Sequence, residues 1–544
     1  MATSRQEQLL QRPPETVAER FFCDLFATGV GAGLAVRHTS DMGRGVFADV
    51  DFKEGDVVLQ EPPLVAMQHS HNRARALVCS HCLRFIGPLE LAAARLLMWQ
   101  KGMREEEDKG ESDEGKEAEE ENREEADAAA AKAEGVIQQL SSGQLKLPFA
   151  ECAGVLPSAV ACPGGCTQEV FCSSTCATSA WAEGHAMLCL GHASHAKDTQ
   201  ALKAFYTHAD ESNDIFRLAA KVVASALSRA HTLLGKGGGE VGEEETEGKG
   251  EAEEEERWKL VLEAWMPFAV GHKAIWWEAV ACPPDVVAGS DEEASFRACM
   301  KSMAEESLNL LAQAIGPLPL DLQPLLSLSV YGATIGMFEL NNLDLVVPSP
   351  VTTYFNRILD LDDAKQDYGR GRGSDWPTEG APGARGRGQR AGGRGSARGE
   401  GVKDGGENGE EGDEEKDTDG NDGDVGIGDE EEKDDDDDEE EEDCDEDDED
   451  DKDDDLLQWH CQGTAFYSLQ SSINHSCCPN AHAFKRDEDV DGRAVLLASR
   501  DIKKGEQIFI AYVEESLPLQ ERREALADYG FVCRCELCEA QGRH

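Results

Sequence analysis

The sequence predicts a mixed α+β fold: small strands with a cysteine-rich metal-binding segment and a helical segment inserted among them, and long acidic inserts. Three observations carry this. Short apolar runs joined by glycine turns lie near both ends of the chain, at 36–65 and 495–512. Between 201 and 316 apolar residues recur at helical spacing. Cysteines, eighteen in all, fall largely in regularly spaced pairs.

A chain of 544 residues is long enough for several domains with a buried core. Its formal charge of −57 is concentrated in three runs, 404–455, 104–127 and 240–256, with net charges of −32, −10 and −9. The remaining −6 is ordinary for a folded protein, so the acidity describes the inserts and not the core. Self-repulsion and a lack of apolar residues predict disorder for all three runs. The longest is either solvated surface or a competitor of DNA phosphates for basic protein tails. Residues 369–399 are rich in Arg-Gly (Arg370, Arg372, Arg385, Arg387, Arg390, Arg394, Arg398), a composition suited to RNA that the neighbouring acid neutralises. Met1 to Arg20 is polar and no apolar run approaches the roughly 20 residues that span a bilayer, so an intracellular protein with no membrane partner is expected. In that compartment cysteines serve as metal ligands.

In chain order, Met42-Gly43-Arg44-Gly45-Val46-Phe47-Ala48 reads as a strand, Phe52 to Asp56 as a turn, and Val57-Val58-Leu59 as a second strand. Glycines at 43 and 45 permit positive φ and close approach of a ligand to the backbone. Cys79-x2-Cys82, Cys162-x3-Cys166, Cys172-x3-Cys176 and His185-x3-Cys189 then supply eight ligands, enough for two tetrahedral zinc sites. A short knuckle cannot close one ion alone. The pairs are therefore expected to interleave, Cys79, Cys82, Cys172 and Cys176 on one zinc and Cys162, Cys166, His185 and Cys189 on the other. Helices are predicted within 201–234, and from a capping box at Ser290-x-x-Glu293 to Gly316 with Phe296, Met300, Met303 and Leu311 inward. Trp276-Trp277 is assigned to core. Leu328 to Leu340 has strand-like composition. Val495 to Ala498 and Gln507 to Tyr512 flank the Lys503-Lys504-Gly505 turn as a hairpin, and 521–526 reads as a short helix.

Several of these segments together resemble one family: Met42 to Phe47, Cys162-Pro163-Gly164-Gly165-Cys166 with Phe171-Cys172, Gly336 to Asp344, Cys461 to Phe466, Asn474-His475-Ser476-Cys477-Cys478-Pro479-Asn480, and Asp528-Tyr529-Gly530-Phe531. The chain resembles the SET-domain protein lysine methyltransferases whose SET fold is split by a MYND zinc finger, most of all the plant-type trithorax-related histone lysine methyltransferases. The resemblance implies twisted sheets closed by a pseudoknot. It divides the chain into an N-terminal extension (1–29), a first SET part (30–70), a MYND-type finger (79–189), a helical insert (190–320), a middle SET part (321–360), a disordered insert (361–455), the catalytic SET part (456–513) and a post-SET segment (514–544).

The resemblance further implies that Gly43, Arg44, Gly45, Asn474, His475, Tyr512 and Phe531 bind S-adenosyl-L-methionine. Tyr512 and Tyr529 would line the methyl-transfer channel. Cys477, Cys533, Cys535 and Cys538 would hold a third zinc that builds the pocket and performs no chemistry. The implied activity is methylation of lysines on histone tails, histone H3 favoured, in the nucleus or alternatively the cytoplasm. The alternatives are a methyltransferase of non-histone proteins and a catalytically silent adaptor. Retention of the site tyrosines together with the thiols favours catalysis, because a scaffold needs only zinc ligands. Few Lys or Arg lie in 150–200, so the finger is expected to bind a protein and not nucleic acid.

Overall fold

A computed structural model describes residues 4–110, 120–237, 249–271, 274–283, 286–341, 343–359, 459–486, 488–527 and 529–542. The Arg-Gly segment 369–399, the acidic run 404–455 and Asp528 lie outside them.

Two helices open the chain. α1 (Arg5–Leu10) is capped by Ser4, whose hydroxyl accepts from the Glu7 N–H while Glu7 reaches back to the Ser4 N–H, a reciprocal capping box. α2 (Glu15–Ala27) buries Ala18 and Phe22, one turn apart, and leaves Glu19, Arg20 and Asp24 to solvent.

A hairpin follows, β1 (Leu34–Thr39) antiparallel to β2 (Gly43–Ala48). β3 (Val57–Glu61) joins a second sheet and β4 (Val65–Gln68) a third. After β4 come the helices α3 (Leu89–Gly110) and α4 (Glu120–Ser141), then the short pair β5 (Val160–Ala161) and β6 (Val170–Phe171) with α5 (Ser174–Ala180) among the cysteines. α6 (Ala186–Leu188), α7 (Thr199–Glu211), α8 (Ile215–Gly237), α9 (Lys249–Ala269), α10 (Trp276–Ala279), α11 (Asp291–Ile315) and α12 (Leu328–Asn341) lead to β7 (Leu343–Val347). Past 459 the strands are β8 (Cys461–Phe466), β9 (Asn474–His475), β10 (Ala481–Ala483), β11 (Ala494–Ala498) and β12 (Phe509–Ile510), with terminal helices Leu519–Ala527 and Glu536–Gln541. Sheet orders are β4-β8-β7 and β10-β11-β3, and β9 pairs in parallel with β12. The two largest apolar cores lie one among the helices around Phe216, Phe268 and Phe338, the other among the strands around Phe22, Ile473 and Ile508.

Four expectations are corrected. The run Leu328 to Leu340 is helical, in α12, and not a strand. Val330, Tyr331, Ile335, Met337 and Phe338 are all buried, and a helix covered on every side shows no periodic face in its sequence. Gly332 and Gly336, four apart, permit the close approach: a Cβ there would lie 2.4 Å from the Trp277 ring and 2.3 Å from the Ala274 carbonyl oxygen. The expected hairpin at 495–512 is not one, because β11 lies between β10 and β3 whereas β12 pairs with β9. Bridges from Ile502 to Phe52 and from Gln507 to Phe47 pull the intervening segment onto the first strands and bury Ile502 and Ile508.

The acidic runs at 104–127 and 240–256 are partly helical. α3 and α4 extend into the first, and α9 takes up residues from 249 onward. Glu, Ala and Lys propagate a helix well, acid suits the positive N-terminal ends of α4 and α9, and buried ends (Ile137 and Leu140; Trp258 and Val261) anchor both. The capping box at Ser290 is half formed: its hydroxyl accepts from the Glu293 N–H at 3.1 Å, but Glu293 accepts from Gly289 at 2.6 Å and not from Ser290. The other helices and the core position of Trp276 follow the sequence reading, with Trp277 partly buried against the same core; on α11 Leu311 is buried, Met300 and Met303 are partly buried, and Phe296 is only half-buried.

Candidate active site

The site begins where β2 begins. Gly43 has φ +72°, and no atom lies within 4 Å of where its Cβ would stand, so the strand starts on open space. At Gly45 a Cβ would meet the Gln507 amide nitrogen at 2.4 Å and Asn474 Nδ2 at 3.1 Å, so a side chain there would displace both amides. Asn474 Nδ2 donates to the Arg44 carbonyl at 2.9 Å, which fixes β9 against β2. Arg44 donates to the Val270 carbonyl at 2.9 Å and packs over the Phe22 ring at 5.5 Å. Burial lowers its pKa; the Arg12 guanidinium acts in the same sense and Glu15 opposes it. These groups face a cleft of about 880 Å³.

The opposite wall is aromatic. Tyr512 packs 5.0 Å from Tyr529, 5.3 Å from His475 and 6.3 Å from Phe531, centroid to centroid. The Tyr512 hydroxyl donates to the Ile473 carbonyl at 2.5 Å and its backbone N–H to His475 Nδ1 at 2.9 Å. Burial, with Tyr529 nearby, pushes the Tyr512 phenol up, so it keeps its proton at neutral pH. The His475 ring is engaged on both nitrogens, with Nε2 3.3 Å from Cys477 Sγ. Burial, and next Arg522, brings its pKa down to about 4, so the ring is neutral. Asn480 clamps β12 from beneath, donating to the Gln507 carbonyl and accepting from the Phe509 N–H, both at 2.8 Å.

Behind that wall Cys477, Cys533, Cys535 and Cys538 bring their sulfurs together, with Cys477 3.5 Å from Cys538 and 3.9 Å from Cys533. Four thiolates at a Zn–S distance of about 2.3 Å stand roughly 3.8 Å apart, so this spacing fits zinc. Buried Arg522 donates toward Cys538 Sγ at 3.7 Å and to Gln541 at 2.7 Å, which offsets the negative charge of such a group. Two further groups form in the expected pairing: Cys79, Cys82, Cys172 and Cys176, and Cys162, Cys166, His185 and Cys189. Their closest contacts include Cys172 to Cys176 at 3.4 Å and Cys162 to His185 Nε2 at 3.1 Å.

A SET-domain family model matches residues 402–513. The chain is 36% identical over 549 residues to histone-lysine N-methyltransferase ATXR2 of Arabidopsis thaliana, covering 97% of this chain and 95% of that protein. The chain belongs to the SET-domain protein-lysine methyltransferases. Shorter likenesses reach N-lysine methyltransferase SMYD2 of Homo sapiens (33% over 82 residues, 15% of this chain and 18% of that one). They reach also the SET domain and MYND-type zinc finger protein 6 of Schizosaccharomyces pombe (40% over 79 residues, 14% and 15%). The resemblance read from the motifs, plant trithorax-related enzymes included, is borne out.

In this SET-domain enzyme Gly43, Arg44, Asn474, His475, Tyr512, Tyr529 and Phe531 line the cleft, and Gly45, next along β2, packs against Asn474 and Gln507. Sequence reasoning missed two contributors. Asn341, at the end of α12, lines the cleft and donates to the Gly271 and Met337 carbonyls, both at 2.8 Å. It stood within a quoted motif, but the strand reading of 328–340 hid its place at a helix end. The N-terminal residues Arg12, Glu15, Glu19 and Phe22 also form cleft wall. Their signals were the Ser4-x-x-Glu7 box and the Pro13-Pro14 pair ahead of Glu15. No helix among the described residues is long and apolar enough to cross a membrane.

Proposed function

We propose that the protein is an S-adenosyl-L-methionine-dependent methyltransferase of histone-tail lysines, histone H3 favoured, that acts on chromatin in the nucleus. The observation that carries this reading is the cleft itself, where an open glycine strand end, a guanidinium and an amide face an aromatic wall. Its chemistry suits the cofactor: cation and amide for the amino-acid part, and electron-rich ring faces for a sulfonium. When bound, S-adenosylmethionine supplies an electrophilic methyl group, and no protein nucleophile is needed.

The chain's own residues then orient the lysine and exclude water. An ammonium cannot attack, and freeing its lone pair near pH 7 costs roughly 4 to 5 kcal/mol from a reference pKa of about 10.4. Tyr512, Tyr529 and Phe531 lower that cost by desolvating the amine. With its hydroxyl donated to Ile473 and its phenol pushed up by burial, Tyr512 orients and does not abstract the proton. Gly43, Arg44, Gly45, Asn474 and His475 hold the cofactor, and three zinc ions in the three ligand groups brace the structure. The first two form a MYND-type finger (79–189) that recruits a protein partner, and the third belongs to the post-SET segment (514–544).

The name of the relative spanning nearly the whole chain supports a histone substrate. The name of the human relative specifies only lysine, which keeps non-histone proteins as a second reading. Transfer of labelled methyl to histones and to a nuclear extract, with the modified sites located by mass spectrometry, tests both. Labelling of H3 lysines is expected; labelling confined to non-histone proteins overturns the histone assignment, and none at all overturns the activity.

A further inference from the structure

Residues 4–27 form a strap anchored in both cores. At its first end Leu9 is only 1% exposed, Trp265 donates to the Leu9 carbonyl at 2.9 Å and Trp258 to the Gln8 side chain at 2.7 Å. Arg5 pairs with Glu254 at 2.6 Å and Asp321 at 3.2 Å. At its second end Ala18 and Phe22 are packed into the strand core. Glu15 also meets His38 Nε2 at 3.0 Å, which fastens α2 to β1. Between the anchors Pro13 and Pro14 restrict φ, so Arg12 is carried by a stiff span and not by a loose end.

That span places Arg12 on the cleft wall, near enough to Arg44 to act on it electrostatically. Neither guanidinium has a carboxylate within ion-pair distance among the described residues, and Arg44 is partly desolvated. Two guanidiniums in one cleft wall, neither held in a direct ion pair, make a site for an anion, although Glu15 lies near Arg44 and Glu19 shares the wall. The cofactor of the proposed reaction carries one anionic group, the α-carboxylate of its amino-acid end. We infer that Arg12, from the N-terminal strap, recognises that carboxylate together with Arg44, and so serves as a specificity residue outside the SET motifs. The inference rests on the proposed use of S-adenosylmethionine.

Calorimetry on the zinc-loaded full chain tests it, with S-adenosylmethionine and decarboxylated S-adenosylmethionine, which differ only in the carboxylate, as paired probes. The unaltered protein is expected to bind the carboxylate-bearing probe about ten-fold or more tightly than the decarboxylated one. Arg12→Ala removes most of that preference, weakening the first probe about ten-fold and leaving the second unchanged, and Arg12→Lys restores part of it. The thermal midpoint stays put, because Arg12 is exposed. Equal weakening of both probes means a structural role for the strap and overturns the inference, as does no change for either. If the unaltered protein binds neither probe, the cofactor reading itself falls, an outcome distinct from the other two.

Discussion

The backbone N–H of Tyr512 donates to Nδ1 of His475 at 2.9 Å, and the far side of the same ring lies 3.3 Å from Cys477 Sγ. An accepting Nδ1 places the proton of the neutral ring on Nε2, pointing at the sulfur. One side chain thus ties the aromatic wall of the cleft to the third cysteine group.

Metal removal should therefore disable the cleft and not merely loosen the C-terminus. Elemental analysis is expected to give three zinc ions per chain, and Cys538→Ser to lower the count by one and abolish binding of S-adenosylhomocysteine. A native content near two, or a Cys538→Ser protein that binds normally, contradicts the arrangement.

Tyr512→Phe keeps the ring and loses the bond to the Ile473 carbonyl, worth about 1 kcal/mol. Methyl transfer should fall about ten-fold or the number of methyl groups added should change, with cofactor affinity held within about three-fold. Single-turnover kinetics with product analysis decides; an unaltered rate and product distribution removes Tyr512 from the channel.

The two glycines of β2 should respond differently. Gly45→Ala forces its methyl into Gln507 and Asn474, so cofactor affinity should drop about ten-fold or more. Gly43→Ala meets no atom and carries only the strain of φ +72°, about 1 kcal/mol. Titration and thermal unfolding of the pair separate crowding from strain. Equal effects would show that the close contact at Gly45 is not limiting.

Glu61, 3% exposed at the end of β3, accepts from the Leu469 and Gln470 N–H groups, both at 2.9 Å, and so supports the turn leading into Asn474. Burial raises its pKa to about 7, and those N–H groups oppose the rise. A folded pKa above the unfolded one gives stability that is complete below about pH 4.5 and lost as pH climbs through 7, of order 3 kcal/mol. Unfolding scans from pH 5 to 8 should show stability falling, and Glu61→Gln should flatten that slope. A Glu61→Gln profile parallel to the original would contradict the assignment.

What the sequence disclosed followed from covalent spacing. Cysteine pairs three or four residues apart announce their ligand sets because metal geometry restricts the choices, whereas a Gly-x-Gly turn or an Asn-His pair is common alone, and Gly43-Arg44-Gly45 and Asn474-His475 were legible only through the family resemblance that the whole motif set carries. What stayed hidden depended on tertiary surroundings. α12 is buried on all sides and so shows no helical face. β12 owes its pairing to β9, thirty-five residues earlier. The acidic ends of α4 and α9 are helical because apolar residues farther along them are anchored. Arg12 has no motif, and only the strap that carries it shows that it faces the cleft.

Calorimetric titration of S-adenosylmethionine into the fully metallated chain is the most direct test of the central claim, that a thiolate-braced aromatic wall and a glycine strand together form the cofactor cleft. Saturable one-to-one binding that disappears when zinc is removed is the expected result. No heat from intact, zinc-loaded protein would contradict it.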